Sequence, residues 1–112
     1  MSKSNVAAKY TYRVFWSEED GEYVGVCAEL PSLSWLAASQ TAALAGMVKL
    51  ARQVVVDMMK HKEEVPVPLA TREYSGHFKV RIPPQVHRQL VIEAAEADIS
   101  LNRLVSAKLA HR

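Results

Sequence analysis

Cysteine occurs once in the 112 residues, which excludes an intrachain disulfide and a zinc site built on cysteines. Cys27 lies in an apolar run, the setting of a small buried hydrophobe rather than a nucleophile. No apolar h-region lies between Met1 and Lys9, so no signal peptide is expected. A membrane span is missing too. The longest uncharged run, residues 30–48, is interrupted by Pro31, Ser32, Ser34, Ser39, Gln40 and Thr41, and such a run does not read as a transmembrane helix. The expectation is a soluble, cytoplasmic protein with no membrane partner. Length is also short: 12.5 kDa leaves room for one modest domain or two very small ones and excludes a large single-core enzyme.

What is present is ordinary in composition and uneven in placement. Apolar residues make up 49% and charged residues 23%, which is globular rather than disordered or fibrous. The net charge is only +2. Residues 1–70 carry seven Lys and Arg against eight Asp and Glu, whereas residues 71–112 carry seven against four. The basic character therefore lies in the last 42 residues, a length that cannot bury a comfortable core alone.

Residues 9–16, Lys-Tyr-Thr-Tyr-Arg-Val-Phe-Trp, are rich in aromatic and β-branched side chains and predict a strand. A charged turn ending at Gly21 leads to a second strand over residues 22–28, and Ser34-Trp35-Leu36-Ala37 predicts a short third. Ser39 is placed to cap a helix through its hydroxyl. From Thr41 to Lys60, Leu44, Met47, Val48, Ala51, Val54, Val55, Met58 and Met59 recur at three- and four-residue spacing, the stripe of an amphipathic helix laid on the sheet. Val65-Pro66-Val67-Pro68 ends helical structure and begins a linker or edge strand. The expected organisation is a domain over residues 1–70, a linker over 71–76, and a second domain over 77–112.

After Gly76 the pattern restarts. His77-Phe78-Lys79-Val80-Arg81-Ile82 alternates strictly, with Phe78, Val80 and Ile82 on one face of a strand and His77, Lys79 and Arg81 on the other. Pro84 suits the first position of a helix, which runs on through Val86, Leu90, Ala94 and Ala97. Ser100 caps a last helix through Leu101, Leu104, Val105 and Leu109. One strand and two short helices cannot satisfy the strand's edges or offset chain entropy. A symmetric dimer mends both defects: paired strands turn Phe78, Val80 and Ile82 onto a shared helical core that also takes Val86, Leu90, Leu104 and Val105. The opposite face then presents His77, Lys79 and Arg81 on a two-stranded ribbon, a shape that fits the major groove. Arg103 stands three residues after the cap, where a Glu would complete a capping box. A cation there opposes the helix dipole unless an anion is bound. A DNA phosphate held by the amides near Ser100, Leu101 and Asn102 together with Arg103 resolves that conflict. His77, His87 and His111 have no spacing that suggests a metal site.

The stretch Tyr74-Ser75-Gly76-His77-Phe78-Lys79-Val80-Arg81-Ile82-Pro83-Pro84, followed by His87-Arg88, Glu93-Ala94-Ala95-Glu96 and Ser100-Leu101-Asn102-Arg103-Leu104, resembles the ribbon-helix-helix terminus of HicB-family antitoxins. The upstream hairpin, capped helix and Pro-rich exit resemble that family's N-terminal domain. The resemblance implies an α+β protein in two parts. The first is a partial RNase H-like fold without nuclease activity, which binds and neutralises a HicA-type toxin that cleaves mRNA. The second dimerises and binds operator DNA of its own operon; pairing into a tetramer is left open. By position in the motif, His77, Lys79 and Arg81 face bases and the start of the last helix holds phosphate. One stretch departs from the pattern: the turn after Ser39 reads Gln40-Thr41-Ala42-Ala43, where the resemblance implies acidic residues.

Catalysis by an RNase H site needs carboxylates converging on two metal ions. Glu18, Glu19, Asp20 and Glu22 crowd one turn, while Glu29 and Asp57 stand apart. The first strand's only charges are Lys9 and Arg13. No enzyme, metal or cofactor is expected. The alternative to an antitoxin is a stand-alone transcriptional regulator whose first domain senses a ligand or oligomerises.

Overall fold

The computed structural model describes residues 3–111, which divide into two compact units, the first closing at Tyr74 and the second opening at Ser75. In unit 1 the aromatic and β-branched segments form β1 (Tyr12–Ser17), β2 (Glu22–Cys27) and β3 (Ser34–Ala37). They make an antiparallel sheet in the order β1-β2-β3. The first strand begins later than its composition suggests. Residues Lys3–Lys9 wind into a 3₁₀ helix, and the Tyr10 amide donates to the Ala7 carbonyl at 3.3 Å, so local bonding takes the place of the ladder. Gly21 closes the β1–β2 hairpin with φ +64° and donates its amide to Ser17 O at 2.8 Å. That left-handed conformation suits glycine.

Pairings Tyr12↔Cys27, Val14↔Gly25, Trp16↔Tyr23 and Gly25↔Trp35 place these residues on one face of the sheet. This face receives α1 (Gln40–Lys60), which starts where Ser39 Oγ accepts the Ala42 amide at 3.1 Å. Gly25 is the point of closest approach. A Cβ there would lie 2.6 Å from the Ala43 carbonyl oxygen and 2.9 Å from Met47 Cβ. The buried ridge of α1 is accordingly Ala43, Met47, Ala51 and Val55, one residue every four positions. The wider stripe expected from spacing is corrected at two places, since Leu44 and Met59 are exposed. A backbone this close to the sheet admits alanine on the ridge and turns the bulkier neighbour outward. Ala7, Tyr10, Cys27 and Leu30 complete the core with the ridge. Cys27 is 1% exposed, and burial pushes its thiol pKa up, consistent with a packing role.

The Pro-rich exit after α1 is neither strand nor free linker. Tyr10 Oη donates to Pro66 O at 2.7 Å. Glu29 accepts the Thr11 amide at 2.8 Å, the Thr11 hydroxyl at 3.2 Å and the Leu69 amide at 3.0 Å. One carboxylate thus ties the exit of the unit to the entry of its first strand. Upstream, α1 ends with Lys62 at φ +58°. The Glu63 amide reaches back to Met58 O at 2.8 Å, a Schellman closure that satisfies the last carbonyls.

In unit 2, α2 (Pro84–Glu96) starts on a proline that lacks only a donor the first turn does not use. It ends in the same closure, with Asp98 at φ +55° and the Ile99 amide on Ala94 O at 3.0 Å. The reversal leads into α3 (Leu101–Ala110). Lys108 Nζ lies 3.2 Å from Glu93 Oε1 and links the two helices. Residues 75–83 join no helix or strand. The strand expected over 77–82 is not formed in the single chain, because a strand exists only through a hydrogen-bonded neighbour and unit 2 contains no second segment to supply one. The described residues include no helix long and apolar enough to cross a membrane.

Glu29 carries a pH dependence. Burial by itself raises its pKa, but the hydrogen bonds from Thr11 and Leu69 prevail and hold the carboxyl below its ordinary 4.5. A depressed folded-state pKa means that the stabilisation is present above the unfolded value and fades as pH falls through the folded one. The urea midpoint of the wild-type chain should therefore fall between about pH 5 and pH 3 by more than that of Glu29→Gln, which has no charge to lose.

Candidate nucleic-acid interface

Unit 2 buries little. Ala94 and Leu104 are its buried apolar side chains, while Phe78 is 71% and Val80 64% exposed, with Ile82 and Val86 also exposed. Apolar side chains in that proportion on so short a segment make a contiguous exposed patch rather than a scattering of surface hydrophobes. Phe78, Val80 and Ile82 border an open groove together with Val86, Leu90 and Val105. Six of the seven residues expected to form a shared core therefore lie around one concavity. The seventh, Leu104, does not line it; it is already buried within the chain. The difference follows from helical geometry. Leu101, Val105 and Leu109 lie one turn apart and present a common row to the groove, whereas Leu104 sits on the neighbouring row. Leu101 and Leu109 extend the apolar lining beyond the expected set, and their four-residue spacing from Val105 is the signal that identifies them.

The chain enters this segment through Gly76, whose φ is +84°, and the His77 amide donates to Ser75 Oγ at 3.0 Å. A side chain on residue 76 would strain that left-handed conformation. His77, Lys79 and Arg81 are exposed. Ion pairs among the described residues are His61–Asp57 and Lys108–Glu93, so Lys79, Arg81 and Arg103 keep their charges free of acidic partners.

At the start of α3, Ser100 Oγ accepts the Arg103 amide at 3.0 Å, and the first turn contains no acidic residue. The amides of Leu101 and Asn102 precede the first intrahelical bond and are left for an outside acceptor. Because the Leu101 side chain turns to the groove, its backbone alone is offered there. The start of α3 thus combines two free backbone amides with an exposed arginine and no acidic side chain.

The carboxylates of unit 1 do not converge. Glu18, Glu19 and Asp20 lie in the hairpin turn, Glu29 is engaged by Thr11 and Leu69, and Asp57 pairs with His61 at 3.4 Å near the end of α1. The described residues contain no group of three or more His, Cys, Asp or Glu placed to hold a metal ion.

Residues 61–109 match the model of the HicB family. The matched segment is less than half of the chain, and over that segment the chain is similar to the family. No curated protein and no solved structure matches the chain.

The Ser100 cap separates structure from anion binding. Ser100→Ala should lower the stability of unit 2 by about 1 kcal/mol in urea unfolding. Ser100→Asp keeps a capping oxygen and should retain that stability while weakening the binding of inorganic phosphate or DNA by like-charge repulsion.

Proposed function

We propose that this chain is the antitoxin of a type II toxin–antitoxin pair, in which unit 1 binds and neutralises a HicA-type mRNA-cleaving toxin and unit 2 represses the shared operon as a ribbon-helix-helix dimer. The observation that carries the reading is the exposed row Phe78, Val80 and Ile82 beside an apolar groove, inside the segment that matches the HicB family. A second copy supplies what that segment lacks. Residues 77–82 of two chains pair antiparallel, satisfy each other's backbone, and press the apolar row of each onto the helices beneath.

Pairing leaves His77, Lys79 and Arg81 from both chains on the outer face of the ribbon. Lys and Arg reach acceptors on guanine in the major groove, and the histidine adds a further polar contact. The two α3 starts hold flanking phosphates through the Leu101 and Asn102 amides and Arg103, which fixes the ribbon's register on the duplex without reading sequence. Unit 1 is a binding module with a partial RNase H-like fold. Its one well-coordinated carboxylate, Glu29, is spent on holding the chain together, which supports a role in recognition rather than catalysis.

Replacing Lys79 or Arg81 by Ala should cost about 1–3 kcal/mol in operator affinity, with the fold intact. Undiminished binding by both variants in a titration at fixed salt would overturn the ribbon assignment. The toxin-binding half is tested by co-expression with the adjacent reading frame: that product alone should arrest growth, and this chain should restore it. A harmless neighbour, or a toxic one that this chain fails to neutralise, would leave unit 1 as part of a stand-alone regulator.

A further inference from the structure

The sheet of unit 1 has two free edges, and they are not alike. At β1, the edge carries Arg13, whose guanidinium lies 4.6 Å over the Phe15 ring, and Thr11 just before the strand is occupied by Glu29. An antiparallel copy of β1 would bring two Arg13 side chains onto one face of the joint. The β3 edge carries no such guard. Its four residues, Ser34–Ala37, contain no charge, proline or glycine, the features by which edge strands avoid pairing. Trp35 on one face and Leu36 on the other are each 42% exposed. Trp35 is already held in place, since a Cβ on Gly46 of α1 would run into its indole.

We infer that β3 pairs antiparallel with β3 of a second copy of this chain, joining two three-stranded sheets into one of six. Self-pairing about a two-fold axis sets Trp35 opposite Trp35, or Leu36 opposite Leu36, with uncharged residues on either side, so no like charges meet, and it covers the outer side of both exposed apolar residues. A four-residue edge is too short to hold two independent molecules together at low concentration. The inference therefore rests on the pairing of unit 2 proposed above for its tether: once two chains are joined there, the second β3 is present at an effective concentration on the order of millimolar. That is the argument for a copy of this chain rather than a foreign strand.

The test is hydrogen exchange of the full chain across a dilution series, with sedimentation alongside. In a lone three-stranded sheet about half of the β3 amides point outward without a partner. In the wild-type chain at tens of micromolar, all of them should be protected. The outward amides should exchange about tenfold more slowly than in the doubly substituted S34K/L36K chain, with β1 and β2 protection equal in both. Outward amides that exchange freely in the wild type at every concentration, or protection that S34K/L36K leaves unchanged, would overturn the inference. Val80→Asp keeps the two readings apart. It should halve the sedimenting mass and move β3 protection to higher protein concentration. If it leaves the mass unaltered, the unit 2 pairing is wrong, and the β3 inference falls with the tether it rests on. If it halves the mass of a chain whose β3 was never protected, the edge is wrong and the ribbon stands.

Discussion

The approach of α1 to the middle strand at Gly25 sets the geometry of unit 1. With the Ala43 carbonyl 2.6 Å from the place of a glycine Cβ, the helix lies as close to the sheet as backbone allows, and the residues along its buried ridge follow. Ala43 and Ala51 fit where the surfaces meet, while Met47 and Val55 fill the space beside them. Interiors pack at crystal-like density, so one such contact constrains its neighbours. Tyr10, brought in by the 3₁₀ helix, closes the end of the core and reaches Pro66. Glu29 then secures the chain just beyond it at Leu69. The first unit is consequently finished, and the described residues leave no buried side-chain nitrogen or oxygen without a partner.

Unit 2 is governed by the opposite condition. Two helices of thirteen and ten residues bury Ala94 and Leu104 between them and leave Phe78, Val80, Ile82 and Val86 in water. A segment of this size cannot enclose those side chains on its own, whatever its local propensities. The same shortage explains why the alternating residues 77–82 remain without strand structure. Their period is that of a strand, but a ladder is made by two segments. The exposed basic residues His77, Lys79 and Arg81 alternate on this same stretch with the exposed apolar Phe78, Val80 and Ile82.

Much of this was legible in the residues. The hairpin, the short third strand, the Ser39 and Ser100 caps and all three helices follow from local chemistry: hydroxyl oxygens at helix starts, Pro84 at N1, apolar side chains at helical spacing. The burial of Cys27 followed from its neighbours. Less legible were features that depend on distance in space. Lys9 and Tyr10 carry strand-like composition yet close a 3₁₀ turn, because the Tyr10 amide finds Ala7 first. Leu44 and Leu109 share spacing with buried residues yet are exposed, since position around a helix is decided by what lies opposite. Glu29 looked isolated because its partners are eighteen and forty residues away along the chain.

The amino-acid order alone thus determined where chain direction changes, which segments are helical, and that basic charge collects in a tail too short to be self-sufficient. These depend on neighbours within a few positions and on simple sums of charge and apolar area. Tertiary structure decided which of the apolar residues are spent inside the chain and which remain exposed. It also decided that the Pro-rich exit is held by Tyr10 and Glu29, and that β1 and β3 are the two edges of the sheet. Such outcomes turn on contacts between residues far apart in sequence, where a displacement of an ångström separates a packed side chain from a clash.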